Sequence, residues 1–402
     1  MYRFRTFVPL VLLLNLLSAG RSADLVLRGG RIVTVDPQFK MVESLAADNG
    51  YIVAVGTDKD IEKHVDAETK VIDLDGKMVL PGLIDSHVHP TGASLYEADH
   101  EIPAMESIPD VLNYLAQRTR VVPKGEWIVL QQVCITRLRE QRFPTRDELD
   151  AVAPAHPVWF RPGPDGSANS LGLAENGIDR QFAAENPSHV MVDPNTGEPT
   201  GVIRQSSAVF KTRSDASRKT LTPAEKDDRL VELLDDYNRW GITGVIDRNC
   251  SDAARAQYQR LLDTNRLTLR VRLSRSLNPK LSGEELDERL DALAADPLFQ
   301  KPSARLGVIG VKVFEDGGML TGSAFFRQPW GTSEIYGIVD PRYRGMQFID
   351  EARLETLVRG CVRRNLAFTA HCQGDAAVEA LVRVYGRVNE EIPVGPTRST
   401  VT

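Results

Sequence analysis

The chain has 402 residues, 42% hydrophobic and 26% charged, with a formal charge of −6. That balance excludes a collagen-like or wholly disordered polymer and leaves room for one large domain or two modest ones. Acids and bases are interspersed, so no basic footprint for nucleic acid appears. The four cysteines (Cys134, Cys250, Cys361, Cys372) have no C-x-x-C spacing and specify neither a disulfide scaffold nor a zinc knuckle.

Residues 1–23 read as an export leader. Arg3 and Arg5 precede an apolar run over residues 7–17, and small residues follow up to Ala23. The run is too short for a permanent anchor, and no later stretch reaches the roughly 18 apolar residues of a spanning helix. The expectation is a periplasmic or secreted chain without a stable membrane anchor.

Residues 24–80 are patterned as short strands between turn signals. Asn49-Gly50, between apolar runs, is the strongest hairpin signal, because both positions tolerate positive φ. After Pro81 strands alternate with helices, the signature of α/β architecture. Thr222-Pro223-Ala224-Glu225 predicts a helix start with a capping box, and Gly241 a stop. Further strands are predicted at residues 244–247, 269–273, 308–314 and 367–371, with a helix over 351–364 capped by Asp350. Residues 91–219 read as a long insertion with strands of its own at 127–130 and 158–160.

Three strand ends carry candidate chemistry. The apolar run from Met78 ends in His87-Val88-His89, and residues two apart on a strand share a face. Two neutral imidazoles converging there form half of a site for a divalent transition metal, or else a pair satisfied by backbone carbonyls. Asp85, on the same face, could act behind them. Lys312 lies in an apolar strand, where a lysine is costly unless neutral, paired or modified. It is either a carbamylated metal bridge or a lysine paired with Glu315 or Asp316. His371 ends the 367–371 strand. His64, His100, His156 and His189 have no partner spacing.

In its order of motifs the chain resembles the amidohydrolase superfamily, in the amidohydrolase 3 branch with the N-substituted formamide deformylase-like enzymes. The resemblance rests on the His87-Val88-His89 strand, on Phe143-Pro144-Thr145-Arg146, and on residues 193–201. It continues through Gly241-Ile242-Thr243-Gly244, through Val311-Lys312-Val313-Phe314-Glu315-Asp316 and through His371-Cys372-Gln373-Gly374-Asp375. It implies a β-sandwich module over 24–80 before a metal-dependent (β/α)8 barrel over 81–402. Its implied metal ligands are His87, His89, Lys312 and His371, with Lys312 carbamylated and one or two divalent ions bound, zinc first. Asp85, Asn169 and Asp316 would stand behind the metal or against substrate.

The implied activity is hydrolysis of a non-peptide, amide-type carbon–nitrogen bond in a small molecule by metal-bound hydroxide. Two departures qualify it. Ser167 stands where the family has a histidine, and only 31 residues follow His371, none of them histidine. The expectation is therefore an incomplete barrel of about five strands out of eight, truncated or partnered by a missing C-terminal piece or by a second copy, and without the family's general-base aspartate. The alternative is an inactive remnant that binds a metal or ligand. A carbohydrate-active barrel would need paired carboxylates at strand ends, where this chain has His and Lys.

Overall fold

The computed structural model describes residues 22–98, 100–131, 133–212 and 220–402. The body of the predicted leader, residues 1–21, lies outside them. The chain separates into two compact units, Met1–Leu83 and Ile84–Thr402.

In the first unit, seven strands are β1 (Leu25–Arg28), β2 (Arg31–Val33), β3 (Met41–Val42), β4 (Ser44–Asp48), β5 (Tyr51–Gly56), β6 (Lys70–Asp73) and β7 (Met78–Val79). They form two sheets, β5-β4-β1-β6 and β3-β2-β7. Ile32, Leu45 and Leu74 are buried together, with Leu27, Val42 and Val79 packed against them, so both sheets contribute to one apolar layer. The β4–β5 hairpin turns at Asn49 and Gly50, with φ of 50° and 79°, the geometry that the dipeptide favours.

The second unit opens with β8 (Leu83–Val88), whose first residue belongs to the preceding unit. The predicted insertion follows as β9 (Ile128–Gln131), β10 (Val158–Arg161), β11 (Gly166–Ala168), β12 (Val190–Val192) and β13 (Pro199–Ile203). These make a separate sheet, β12-β13-β11-β10-β9. A buried ion pair ties this sheet to the loop after Phe314. Arg204 lies 3.6 Å from Asp165, and the Asp165 carboxylate accepts from the Thr321 and Ser323 hydroxyls.

The remaining strands are β14 (Ile242–Cys250), β15 (Arg270–Ser276), β16 (Leu306–Phe314), β17 (Ala367–His371) and β18 (Thr400–Val401). With β8 they form one sheet in the order β18-β17-β16-β15-β14-β8, parallel from β14 to β18. Helices connect the strands. Pro223–Arg239 starts at the predicted box, where Thr222 Oγ1 accepts from the Glu225 N–H at 3.2 Å and Glu225 Oε2 accepts from the Thr222 N–H at 2.9 Å. Leu230, Leu234, Tyr258 and Leu261 pack from such helices onto Val245, Val271 and Leu273 of the strands.

The sheet therefore has six strands where the sequence reading counted about five. The added strand is two residues long and pairs Thr400 with Thr369 and Val401 with Ala370.

Gly310 sits where β16 and β17 approach closest. A Cβ there would lie 2.0 Å from the Ala367 carbonyl oxygen and 2.7 Å from Ala367 N. Gly310→Ala is expected to lower unfolding free energy by about 3 kcal/mol in denaturant titration, since backbone cannot yield as a side-chain tip can. Gly386, in the helix Asp375–Glu391 with open space around it, is the control. Gly386→Ala should be neutral or stabilise by up to about 1 kcal/mol. Equal effects at the two sites would refute this account of the strand contact.

Candidate functional site

The site is built at the strand ends. At the end of β8 the His87 and His89 rings stand edge to face, with centroids 5.3 Å apart. The two-residue period of the strand brings them together, as predicted. His89 Nδ1 is 3.9 Å from Asp247 Oδ1 of β14. Asp247 is fully buried and held from behind, since Oδ1 accepts from the Asn249 N–H at 3.1 Å and Oδ2 from the Tyr258 hydroxyl at 3.2 Å. Asp85 plays a more local part than expected. Its Oδ1 accepts from the backbone N–H of His87 at 3.0 Å and fixes the strand end rather than a ring.

Lys312 of β16 is 1% exposed, and its Nζ donates to Thr402 Oγ1 at 2.5 Å. Neither acid proposed for the pairing reading reaches it. Glu315 Oε2 accepts instead from the Cys372 thiol at 2.9 Å, and Asp316 from backbone amides. Burial, reinforced by the charge of Arg248, lowers the Lys312 ammonium to about 8. His371, at the end of the neighbouring β17, packs its ring 5.5 Å from Phe314. Burial, and then the Lys312 charge, hold His371 at about 4, and His371 also feels His87 and His89. His87 is lowered to about 4 by burial, with Lys312, His89 and Arg248 adding to it. Burial pushes the Glu315 carboxyl up to about 7.

Arg248 is the site residue that the sequence reading passed over. Its Nε donates to Ser86 O of β8 at 2.9 Å, and its Nη1 to Ser274 Oγ of β15 at 3.4 Å and Thr369 Oγ1 of β17 at 3.2 Å. In a flat sheet β14 and β17 would be three spacings apart, roughly 14 Å. One guanidinium can touch both only because the sheet curls around it. The available signal was a parallel strand ending in Asp247-Arg248, two charges where the chain should be leaving the core.

Two further candidates have structural roles. Asn169 caps the helix Ser170–Glu175 and is wholly buried. Its Oδ1 accepts from the N–H groups of Val158 and Gly172, and its Nδ2 donates to the carbonyls of His156 and Ala153, leaving nothing for a substrate. Asp316, buried and with its carboxyl raised by desolvation, accepts from the amides of Phe325, Gln373 and Gly374 at 2.8–2.9 Å. It binds the loop after β16 to the loop after His371. Ser167, at the departure from the family pattern, is also fully buried. His100, His156 and His189 bond to Tyr114, Val122 and Arg204 and take no part in the cluster.

A cavity of about 770 Å³ opens beside Lys312 and Phe314, lined also by Ser276, Lys280, Phe348 and Arg353. Its size suits a small organic molecule. The donor chemistry suits a divalent cation, since His87 and His371 are held neutral and a neutral imidazole is the form that ligates. The count falls short on unmodified side chains, because among the described residues no three His, Cys, Asp or Glu groups come together to hold an ion.

The sequence profile of the Amidohydrolase family matches residues 70–402. N-substituted formamide deformylase of Arthrobacter pascens is 26% identical over 379 residues, covering 92% of this chain and 66% of that protein's length. The chain thus spans about two thirds of this relative. Among solved structures, an uncharacterized metal-dependent hydrolase from Pyrococcus horikoshii superposes with a TM-score of 0.60 at 20% identity, over 94% of this chain and 74% of the other. One from Pyrococcus furiosus gives 0.58 at 20%, over 91% and 70%. At this identity the likeness concerns the fold.

In the metal-free chain the His87 and His371 rings are expected to titrate near pH 4 by NMR, against 6.5 for a free imidazole. Between those values the unfolded state binds more protons, so the His371 ring contributes stability above pH 6.5 that is lost as pH falls toward 4, while His87, exposed on β8, contributes less. Glu315, raised to about 7, contributes in the opposite sense and loses its contribution as pH rises through 7. The histidine effect is isolated by difference: the stability of wild type relative to His371→Gln should fall between pH 6.5 and 4. A pH-independent difference would rule out a buried neutral His371.

Proposed function

Because this chain belongs to the amidohydrolase family, we propose that it is a metal-dependent hydrolase of non-peptide carbon–nitrogen bonds, acting on a small amide-type substrate. The observation that carries this reading is the convergence of strand ends. His87 and His89 from β8 stand edge to face, His87 and the His371 ring of β17 both feel the charge of Lys312 from β16, and of these residues Lys312 also lines a cavity of about 770 Å³. In parallel α/β sheets the carboxyl ends of the strands are where such sites are built.

The residues that would hold the ion are His87, His89, His371 and Lys312 in its carbamylated form, with zinc as the first candidate. A divalent cation there supplies polarisation of the amide carbonyl and activation of water at neutral pH. The protein's own groups prepare the setting. Asp247, fixed by Tyr258 and Asn249, stands at the His89 ring and can orient it. Phe314 and Phe348 give the cavity apolar walls, while Lys280 and Arg353 offer donors to polar parts of a substrate. Residues 1–23 are read as an export leader, which assigns this chemistry to the periplasm or the exterior.

Purified full chain is expected to bind divalent metal near stoichiometry and to hydrolyse N-formyl or N-acyl amines, with chelation abolishing turnover. His87→Ala combined with His89→Ala should reduce kcat/KM by roughly 100-fold or more and empty the site by metal analysis. Metal binding without turnover across that panel would favour a non-catalytic binding protein. Unchanged metal content in the double variant would remove the assigned ligands.

A further inference from the structure

Among the described residues three arginines are buried, Arg204, Arg248 and Arg275. Arg204 faces Asp165 at 3.6 Å, and Arg275 meets Asp296 at 3.0 Å. Among the described residues Arg248 has no carboxylate partner within ion-pair distance. Its bonds go to one carbonyl and two hydroxyls, and its Nη2 carries no hydrogen bond among the described residues. A buried charge is costly unless it is paired, so a guanidinium this enclosed calls for an anion.

The strand pairing points to Lys312 as the group to carry that anion. Thr369, which accepts from Arg248, is the direct cross-strand partner of Lys312, and Ser276 pairs with Lys312 on its other side. Lys312 is itself 1% exposed and without an acid. Two cations in one enclosed polar layer repel, whereas a cation beside an anion attracts.

We propose that Arg248 is the positioning residue for a carbamate on Lys312, an inference that rests on the reading of Lys312 given above. The neutral Nζ lone pair forms a bond to the carbon of carbon dioxide, one C–O π bond opens to place the negative charge on oxygen, and an N–H proton passes to water. The carbamate then has the Arg248 guanidinium as its counter-ion. A guanidinium serving only to tie strands together would leave carbamate formation indifferent to its charge.

The test is ¹³C NMR of the full chain equilibrated with ¹³C-bicarbonate, comparing wild type, Arg248→Lys and Arg248→Gln, with circular dichroism verifying the fold. Wild type is expected to carry a carbamate signal that is lost in Lys312→Ala. Occupancy should drop roughly tenfold or more in Arg248→Gln, as on removing one partner of a buried charge pair, and less in Arg248→Lys. A second measurement needs no variant: a crystal structure of bicarbonate-treated wild type should place a carbamate oxygen within about 3.2 Å of the guanidinium. Absence of carbamate in wild type would overturn the underlying reading of Lys312. Equal occupancy in wild type and Arg248→Gln, or a carbamate turned away from Arg248, would overturn the positioning role alone.

Discussion

A charge placed on the inner face of a parallel sheet has to be met by polar groups from several strands at once, and that demand shapes the strand-end region of this protein. Arg248 draws on Ser86, Ser274 and Thr369 from three different strands, and Thr369 passes the contact on to Thr400 of a fourth at 3.0 Å. Together with Lys312 and Thr402 these groups form a polar layer directly behind the histidines. The curl of the sheet, the depth of Lys312 and the neutrality of His87 are linked through that layer. Arg248 is the cation in that layer, and it adds to the lowering of both Lys312 and His87, after burial in each case.

Much of the site could be read from the sequence because strand periodicity is a short-range rule. His87 and His89 needed only a strand and a two-residue spacing, and Lys312 only an apolar run that a lysine interrupts. Arg248 was missed because a strand ending in Asp-Arg looks like a chain turning toward solvent, and burial of that end is decided by strands far away in sequence. Asn169 misled for a different reason. Asparagine is both a common substrate contact and one of the best helix N-caps, and its cap bonds appear only when β10 is in place beside it.

Buried carboxylates account for another part of the architecture. Asp165 gathers two hydroxyls and an arginine, and Asp247 a phenol and an amide. Asp165 sits in no strand-end position that sequence reasoning would single out without the fold. The hydroxyls that Asp165 gathers come from a segment distant in the chain, which local signals do not reach.

The three amides gathered by Asp316 have a consequence for how such a protein diversifies. They fuse the loop after Lys312 to the loop after His371 into one rigid piece, so an insertion in either would disturb both presumed ligands together. The segment around residues 276–282 lines the cavity and is held by single bonds, from Arg353 Nε to Pro279 O and from Leu277 N–H to Lys312 O. Sequence drift that alters which molecules enter can accumulate there while the reactive end of the sheet stays fixed.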